Sequence, residues 1–186
     1  MSRIPPLEPP YDPDVGARLE AMMPAGVPPI ALFRTFARNL PMATAMGGWG
    51  GYDLSRSLSL SLREREVLID RTCARCGCEY EWGVHIAFFA ERAGFTAAQV
   101  TSLTHGGPDD GCWDERDRVL VELADQLHDT ATIDDEAFGR ARALLSDAEL
   151  LDAFLLCGWY HAISFAANAA GVENEDGAPT FDSVLP

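Results

Sequence analysis

The sequence predicts an all-α domain, a single-domain bundle of about seven helices, and three observations support this fold class. Apolar residues recur at helical spacing along most of the chain, and no stretch shows the period-two alternation of strands. Capping boxes at 61–64 and 146–149 mark two helix starts. No turn dipeptide of the hairpin type lies between two runs of alternating residues. A chain of 186 residues is long enough to bury the core of one such domain.

Start and stop signals place the individual helices. Asp12-Pro13 begins a first helix that ends near Met23, a second helix spans about 29–39 before Pro41 stops it, and residues 42–55 are helical despite four glycines. Further helices are predicted over about 61–76, 78–94, 114–128, 134–144 and 146–171, with a loop over 102–112. Residues 1–11 are predicted to form an extended arm, residues 12–172 the helical domain, and residues 173–186 a loose acidic tail.

Composition excludes several classes of partner. The net charge of -15 repels phosphate backbones and anionic lipids, so neither nucleic acid nor a membrane is expected to bind. The most apolar run, Ala153–Ala167, is too short for a comfortable membrane span. The proline-rich start does not resemble a signal peptide, and we expect a cytoplasmic protein whose five cysteines form no disulfide framework.

The predicted helix that starts at residue 61 carries one charge on an otherwise apolar face. Steps of four and three residues put five side chains on this face: Leu62, Glu66, Ile69, Cys73 and Cys76. A buried carboxylate must be paired, hydrogen-bonded or protonated. Glu66 is therefore a candidate functional residue, although it could also lie at the edge of the face and pair with an arginine.

The following helix offers a partner for Glu66. Trp82, His85, Phe88 and Phe89 share one of its faces. If the two helices pack antiparallel, Glu66 meets His85, and a carboxylate–imidazole pair in a dry pocket can transfer protons. A satisfied core histidine is the alternative.

Cys78 and Glu81 begin this second helix and have two interpretations each. Cys78 at a helix N-terminus gains thiolate character from the helix dipole, which favours reactivity. Glu81 lies one turn before His85, but it could also bond back to the helix cap. The cysteines at 73, 76 and 78 with His85 also invite a zinc interpretation. We predict no metal site, because Cys76 and Cys78 straddle a helix break and a second Cys-x-x-Cys motif is absent.

The segment Glu66…Cys78-Glu79-Tyr80-Glu81-Trp82-Gly83-Val84-His85 resembles the carboxymuconolactone decarboxylase / alkylhydroperoxidase D-like superfamily, in a subfamily with a Tyr-Glu-Trp-x-x-His core. The resemblance extends to the opening Arg-Ile-Pro-Pro-Leu, to residues 32–38 and to the stretch 158–173, so it covers most of the chain. It implies an all-α fold that assembles into homo-oligomers.

The two branches of this superfamily imply different chemistry. The hydroperoxidase branch uses a glutamate, a Cys-x-x-Cys pair and a histidine, which match Glu66, Cys78 and His85, but Glu81 stands where the second cysteine is expected. The decarboxylase branch has a Glu-x-x-x-His pattern, which Glu81 and His85 match. Cys73-x-x-Cys76 is out of register with the dithiol motif.

A second set of polar residues lies on the last helix. His161 and Asn168 interrupt an apolar stripe, with Tyr160 next to His161. We predict that Trp82, Tyr160, His161 and Asn168 bind the substrate, although the last two could instead bond locally or across a subunit interface. His105 and His128 are interpreted as surface residues.

Three functional hypotheses follow. The first is an enzyme that performs decarboxylase, lyase or isomerase chemistry on a small carboxylated metabolite without a cofactor. In this hypothesis His85 is the proton shuttle, Glu66 orients it and Glu81 acts near the substrate. The second is a peroxiredoxin-type hydroperoxide reductase that uses Cys78, resolved by Cys76, an external thiol or a partner protein. The third is a non-catalytic oligomeric helical binding protein in which Glu66 and His85 form a structural pair.

Overall fold

The computed structural model describes residues 2–185, and within this range it contains nine α-helices, two short 3₁₀ helices and no strand. The all-α prediction is therefore confirmed. The α-helices are α1 (Pro13–Ala21), α2 (Ala31–Phe36), α3 (Leu40–Asp53), α4 (Leu62–Arg75), α5 (Glu79–Ala93), α6 (Ala97–His105), α7 (Glu115–Thr130), α8 (Asp135–Leu144) and α9 (Asp147–Ala170). The 3₁₀ helices span Ala37–Asn39 and Phe181–Val184.

Two predicted boundaries are wrong for identifiable reasons. Pro41 does not stop a helix; it lies in the first turn of α3, where a proline costs no hydrogen bond. The loop predicted from residue 102 begins only after His105, because α6 occupies 97–105. A capping box between Thr96 and Gln99 starts α6, and this sequence signal was overlooked.

Helix α4 lies at the centre of the domain and packs against α5, α6, α7 and α9. Every residue from Glu64 to Cys73 is buried, including its charged side chains. Most of these charges have partners on the surrounding helices: Arg71 Nε lies 2.6 Å from Asp125 Oδ1 on α7, and Glu64 binds Arg116 on the same helix. Charged residues thus fix how the neighbouring helices dock on α4.

Helix α9 is the one helix of residues 2–185 that is long and apolar enough to cross a membrane by length and composition. The run judged too short for a span therefore belongs to a longer helix of 24 residues. Half of its most apolar window is buried inside the protein, where α9 packs against α4, α5, α7 and α8. In this fold α9 is a core helix that contributes to the wall of a cavity.

The carboxyl-terminal segment is not loose, which corrects the prediction for the tail. Glu175 Oε1 accepts hydrogen bonds from the Ala31 backbone N–H at 2.5 Å and from the Tyr80 hydroxyl at 2.6 Å. The segment also passes over α5 at Gly83, where a Cβ atom would lie 2.6 Å from the Pro179 carbonyl oxygen. Only glycine permits this close approach, so the tail is part of the packed domain.

The amino-terminal arm follows the surface in extended form. The Arg3 backbone N–H donates to the Ala170 carbonyl at 2.8 Å, and the Leu7 N–H donates to the Arg34 carbonyl at 3.2 Å. The arm therefore contacts both α2 and the end of α9. The domain limits at residues 12 and 172 stay a prediction.

Candidate functional site

A cavity of about 300 Å³ lies between α1, α2, α3, α5 and α9. Its wall is mostly apolar and aromatic, with Leu32, Phe33, Phe36, Met46, Phe88, Phe89, Trp159 and Ile163 among the lining residues. Four polar side chains reach it: Arg18, Glu81, His85 and Tyr160. An apolar cavity of this size with a few convergent polar groups is the form that small-molecule sites take.

Glu66 and His85 meet at the buried end of this cavity. The Glu66 Oε2 and His85 Nδ1 atoms are 2.8 Å apart, and both side chains are almost completely buried. Glu66 Oε1 accepts a hydrogen bond from Arg65 Nε at 2.7 Å. The predicted contact between α4 and α5 is confirmed, and the alternative pairing of Glu66 with an arginine is present as well.

The pair is held in its charged form. Burial by itself lowers the pKa of His85, but the charge and hydrogen bond of Glu66, together with Glu81, outweigh it and raise this pKa to about 10. Burial raises the pKa of Glu66, but His85 and Arg65 outweigh that effect and lower it below its ordinary value. At neutral pH His85 is therefore an imidazolium, a proton donor at both ring nitrogens.

The second nitrogen of His85 faces the groups of the cavity. Its Nε2 lies 3.1 Å from the Tyr160 hydroxyl and 3.6 Å from Glu81 Oε1. Glu81 Oε2 is buried without a hydrogen-bond partner among residues 2–185. Burial, with the charges of Glu81 and Glu66, raises the pKa of Tyr160, so its phenol stays neutral. Glu66, His85 and Tyr160 thus form a hydrogen-bonded series that ends at the cavity, with Glu81 beside it.

Cys78 does not have the thiolate character that its helix position suggested. Its side chain is fully buried and does not line the cavity. Burial raises the pKa of this thiol to about 11, and this effect outweighs the helix N-terminus. The prediction of an activated Cys78 is wrong for this conformation.

Three of the predicted substrate-binding residues lie away from the cavity, and only Tyr160 lines it. Trp82 is buried against Phe181 of the tail, with ring centroids 5.1 Å apart. His161 contacts His128 instead, and Asn168 donates a hydrogen bond to the Cys76 carbonyl at 3.0 Å. These residues share a helix or a helical face with site residues, but they point to other parts of the domain.

The two histidines predicted to be surface residues differ from each other. His105 is exposed, as predicted, and its Nε2 contacts the Phe181 carbonyl at 2.9 Å. His128 is half-buried and lies within 3.0 Å of His161, so its interpretation as a surface residue is wrong. The prediction failed because His128 follows a polar sequence near the end of α7 but faces the core helix α9.

Arg18 is a cavity residue that sequence reasoning missed. Its Nε atom is buried and has no hydrogen-bond partner within the described part of the chain. The guanidinium lies against Gly47 of α3, where a Cβ atom would fall 2.2 Å from Nη2. The glycine therefore makes room for a cation in the cavity wall. Arg18 follows Asp14 by four residues in a short predicted helix, and nothing in this local pattern indicated that it faces a cavity.

Asp70 is a second missed residue. It lies one turn after Glu66 on α4, is fully buried, and neither carboxyl oxygen has a hydrogen-bond partner among residues 2–185. Burial and the negative charge of Glu66 raise its pKa well above the ordinary value, which favours the protonated form of this acid. The sequence signal for Asp70 was its spacing of four residues from Glu66, which puts both carboxyl groups on the same side of the helix.

Two clusters among the described residues offer three metal-ligating atoms each, all within 4.8 Å of one another. The first consists of Glu66, Asp70 and His85, but the adjacent Arg65 and the imidazolium of His85 oppose a further cation there. The second consists of Cys76, His128 and His161, which are half-buried and outside the cavity.

We expect nuclear magnetic resonance to detect a charged His85. The ¹⁵N shifts of its ring should report an imidazolium at pH 8, because Glu66 holds the proton on the ring. A solvent-exposed imidazole is mostly neutral at this pH. The Glu66→Gln variant is the control, and its His85 should lose the proton at lower pH. A neutral His85 in the unsubstituted protein at pH 8 would contradict this assignment.

Several solved structures share this fold. An uncharacterized peroxidase-related protein from Silicibacter sp. TM1040 superposes with a TM-score of 0.80 at 18% identity, covering 96% of each chain. A peroxidase-related protein from Ralstonia eutropha JMP134, described as an alkylhydroperoxidase AhpD core, gives a TM-score of 0.77 at 15% identity, covering 98% of this chain and 96% of that one. The debrominase Bmp8 gives 0.76 at 18% identity, covering 97% of each chain. At these identities the likeness concerns the fold.

The sequence comparison finds one family match, which covers part of the chain. No curated protein matches the chain. The profile of the carboxymuconolactone decarboxylase family matches residues 41–120, the segment that carries Glu66, Cys78, Glu81 and His85. Residues 41–120 therefore resemble the carboxymuconolactone decarboxylase family in sequence, and the chain shares the AhpD-like fold of the solved structures.

Proposed function

We propose that this protein is an enzyme that performs acid–base chemistry, of the decarboxylase or isomerase type, on a small carboxylated metabolite. The observation that carries the proposal is the hydrogen-bonded series Glu66–His85–Tyr160, which ends at an apolar cavity. Glu66 stabilises the proton on His85, and Glu81 Oε2 lies beside the series without a hydrogen-bond partner among the described residues. The superfamily includes enzymes, and the Glu81-x-x-x-His85 spacing matches its decarboxylase branch.

The cavity supports an anionic substrate of limited size. Arg18 supplies a cation whose buried Nε has no acceptor in the described chain, and a carboxylate is the common partner of a guanidinium. The aromatic wall, including Phe88, Phe89 and Trp159, suits an unsaturated or cyclic carbon skeleton. Arg18 therefore anchors an anionic group, and the reacting carbons face His85 and Tyr160.

The proposed decarboxylation uses the proton of His85. As the C–C bond to the departing carboxylate breaks, CO₂ leaves and the bonding electron pair stays on the substrate as an enolate. The Nε2 proton of His85 then neutralises this fragment, either directly or through the Tyr160 hydroxyl, and Glu66 stabilises the imidazolium before the transfer. In the isomerase variant Glu81 removes a proton from one carbon and His85 returns one to another.

A second candidate is hydroperoxide reduction by Cys78. The names of the peroxidase-related structures favour it by analogy. Cys78 also begins α5, the helix whose first turn carries the site residue Glu81. Against it stand the buried Cys78 thiol with its raised pKa and the carboxylate at the position of a resolving cysteine. Thiol chemistry therefore requires a conformation in which α5 exposes Cys78.

One experiment separates the two candidates. Purified protein is screened against β-keto acids and γ-carboxylated unsaturated lactones for CO₂ release or ultraviolet change, and against hydroperoxides with a dithiol for peroxide consumption. We expect turnover of a carboxylated compound that Cys78→Ser retains and Glu81→Gln reduces. Arg18→Gln should raise KM more than it lowers kcat.

The opposite pattern would overturn the proposal. Peroxide consumption that Cys78→Ser abolishes, together with no turnover of any carboxylated compound, would establish the thiol enzyme instead. Absence of both activities, with stability the only property changed by Glu66→Gln, would favour the non-catalytic binding protein.

We also propose that the protein works in the cytoplasm, since all five cysteines are free in a conformation where three of them are buried. Homo-oligomer formation stays a prediction from the superfamily resemblance.

A further inference from the structure

Three side chains from separate helices converge outside the cavity. Cys76 caps the end of α4, His128 lies near the end of α7, and His161 lies in the middle of α9. The His128 Nδ1 and His161 Nε2 atoms are 3.0 Å apart, and Cys76 Sγ lies 3.8 Å from the same His128 nitrogen. All three side chains are half-buried, so the cluster remains open to solvent on one side.

The cluster is held in place by bonds to its far sides. His161 Nδ1 lies 2.8 Å from the Cys157 carbonyl oxygen and donates its proton there, which leaves the lone pair of Nε2 directed at the cluster. Asn168 donates from its side-chain nitrogen to the Cys76 carbonyl at 3.0 Å. Ligand histidines in metal sites are oriented by this kind of bond from the second ring nitrogen to a carbonyl.

The spacing of the ligand atoms matches tetrahedral coordination. With Zn–N bonds of about 2.0–2.1 Å and a Zn–S bond of about 2.3 Å, tetrahedral angles separate two nitrogens by roughly 3.3 Å and a nitrogen from the sulfur by roughly 3.6 Å. The observed 3.0 and 3.8 Å lie within a few tenths of an ångström of these values. Small side-chain rotations are enough to admit an ion.

We propose that Cys76, His128 and His161 bind Zn²⁺ through one thiolate and two imidazoles, with the fourth coordination position open to solvent. This donor set suits zinc better than magnesium or calcium, which take oxygen ligands. On binding, the Cys76 thiol gives up its proton to solvent, and His128 moves its ring proton to Nε2 so that its Nδ1 lone pair faces the metal. The site is separate from the proposed active site, since none of its three ligands lines the cavity.

The proposal also accounts for residues that were assigned otherwise from the sequence. His161 and Asn168 were predicted to bind substrate. In the structure His161 belongs to the cluster, and Asn168 donates a hydrogen bond to the backbone carbonyl of Cys76. Gly77, with a φ of +60°, allows the chain to turn directly after Cys76 so that the thiol faces α7 and α9. A hydrogen-bonded pair of histidines needs only His128 and His161, whereas here a thiol from a third helix also faces the pair.

Cobalt provides the test. The full chain is treated with a chelator, dialysed and titrated with Co²⁺ at neutral pH while its absorption spectrum is recorded. We expect one equivalent to bind with the strong visible bands of tetrahedral cobalt and a thiolate-to-cobalt charge-transfer band, and Zn²⁺ should displace it. Cys76→Ser should abolish the charge-transfer band. His128→Gln or His161→Gln should weaken Co²⁺ binding by about tenfold to a hundredfold.

Matched controls make the result specific. Cys112→Ser and His105→Gln alter residues of the same types outside the cluster and should leave the spectrum unchanged. Circular dichroism of each variant establishes that it is folded. A protein that binds no Co²⁺ with these bands, or a charge-transfer band that persists in folded Cys76→Ser, would overturn the site. Weak binding without a charge-transfer band would assign the cluster to a hydrogen-bonded histidine pair.

Discussion

Replacing Glu66 with alanine is expected to lower the free energy of unfolding by about 3–5 kcal/mol, because the change leaves the buried cations of Arg65 and His85 without their shared partner. Glu66 is completely buried, so water cannot solvate the charges that it neutralises. Urea denaturation at neutral pH measures the effect. The substitution Glu8→Ala is the matched control, because it removes the exposed partner of Arg34 and should cost less than about 1 kcal/mol. Equal losses for the two variants would contradict the role of Glu66.

The effect of Glu66 on stability should depend on pH in a defined direction. The folded pKa of His85 is raised from 6.5 to about 10, so its contribution is complete below pH 6.5 and is lost as pH rises to about 10. The folded pKa of Glu66 is lowered from 4.5, so its contribution is complete above pH 4.5 and is lost as pH falls below the folded value. The stability difference between the unsubstituted protein and Glu66→Gln should therefore be largest between these limits, near pH 5–6, and shrink toward pH 10. A difference that grows with alkaline pH would contradict the charged pair.

Replacing His85 with glutamine is expected to reduce turnover of the carboxylated substrate by about 10²–10⁴-fold, which is the usual contribution of a positioned general acid or base. Glutamine can still donate a hydrogen bond to Tyr160, but it has no proton to transfer. The loss should appear in kcat, with KM nearly unchanged, because Arg18 and the aromatic wall still bind the substrate. Steady-state kinetics with the compound identified in the screen measures both constants.

Two further variants sharpen the assignment of His85. Tyr160→Phe removes only the hydroxyl at 3.1 Å from Nε2, and a smaller loss than that of His85→Gln would assign Tyr160 to proton relay and not to proton supply. His105→Gln changes an exposed histidine at the end of α6, outside the cavity, and should leave kcat unaltered. If His85→Gln retained full turnover, the acid–base mechanism would be wrong and the pair would be structural.

The part of the site that could be predicted consists of residues whose helical phase decides their neighbours. Glu66 was a candidate because it is the one charged residue on an apolar helix face. His85 was a candidate because it is the ionisable residue on the apolar face of the next helix. Two consecutive helices joined by a tight turn at Gly77 leave little freedom in how they pack, so the 2.8 Å contact followed from local patterns. The helix starts predicted at residues 61, 114, 134 and 146 coincide with the N-caps Ser61, Asp114, Asp134 and Ser146, because capping signals are also local.

The remainder depends on contacts between distant parts of the chain. Arg18 lines the cavity with its guanidinium against Gly47, which is nearly thirty residues later in the sequence. The reactivity of Cys78 was misjudged because the pattern gives its place on the helix but not its burial, and burial determines its pKa. Trp82 and His161 were assigned to the cavity from their helical faces, but helical phase does not specify which neighbouring element covers a face. The tail was predicted to be loose because short acidic segments carry no periodic pattern, whereas Glu175 and Phe181 bind specific partners.

The docking of the tail on α5 has a consequence for biosynthesis. The helix that presents His85 to the cavity is covered on another side by residues near 179, and the cavity wall also needs Tyr160. A chain synthesised only through α5 therefore contains Glu66, His85 and the cavity-lining side chains of α1, α2, α3 and α5, but it lacks Tyr160 and the tail residues that cover α5. Until α9 is synthesised, the cavity lacks the part of its wall that Trp159, Tyr160 and Ile163 form. Completion of the site therefore requires synthesis of α9 and the tail, long after Glu66 and His85 have been made.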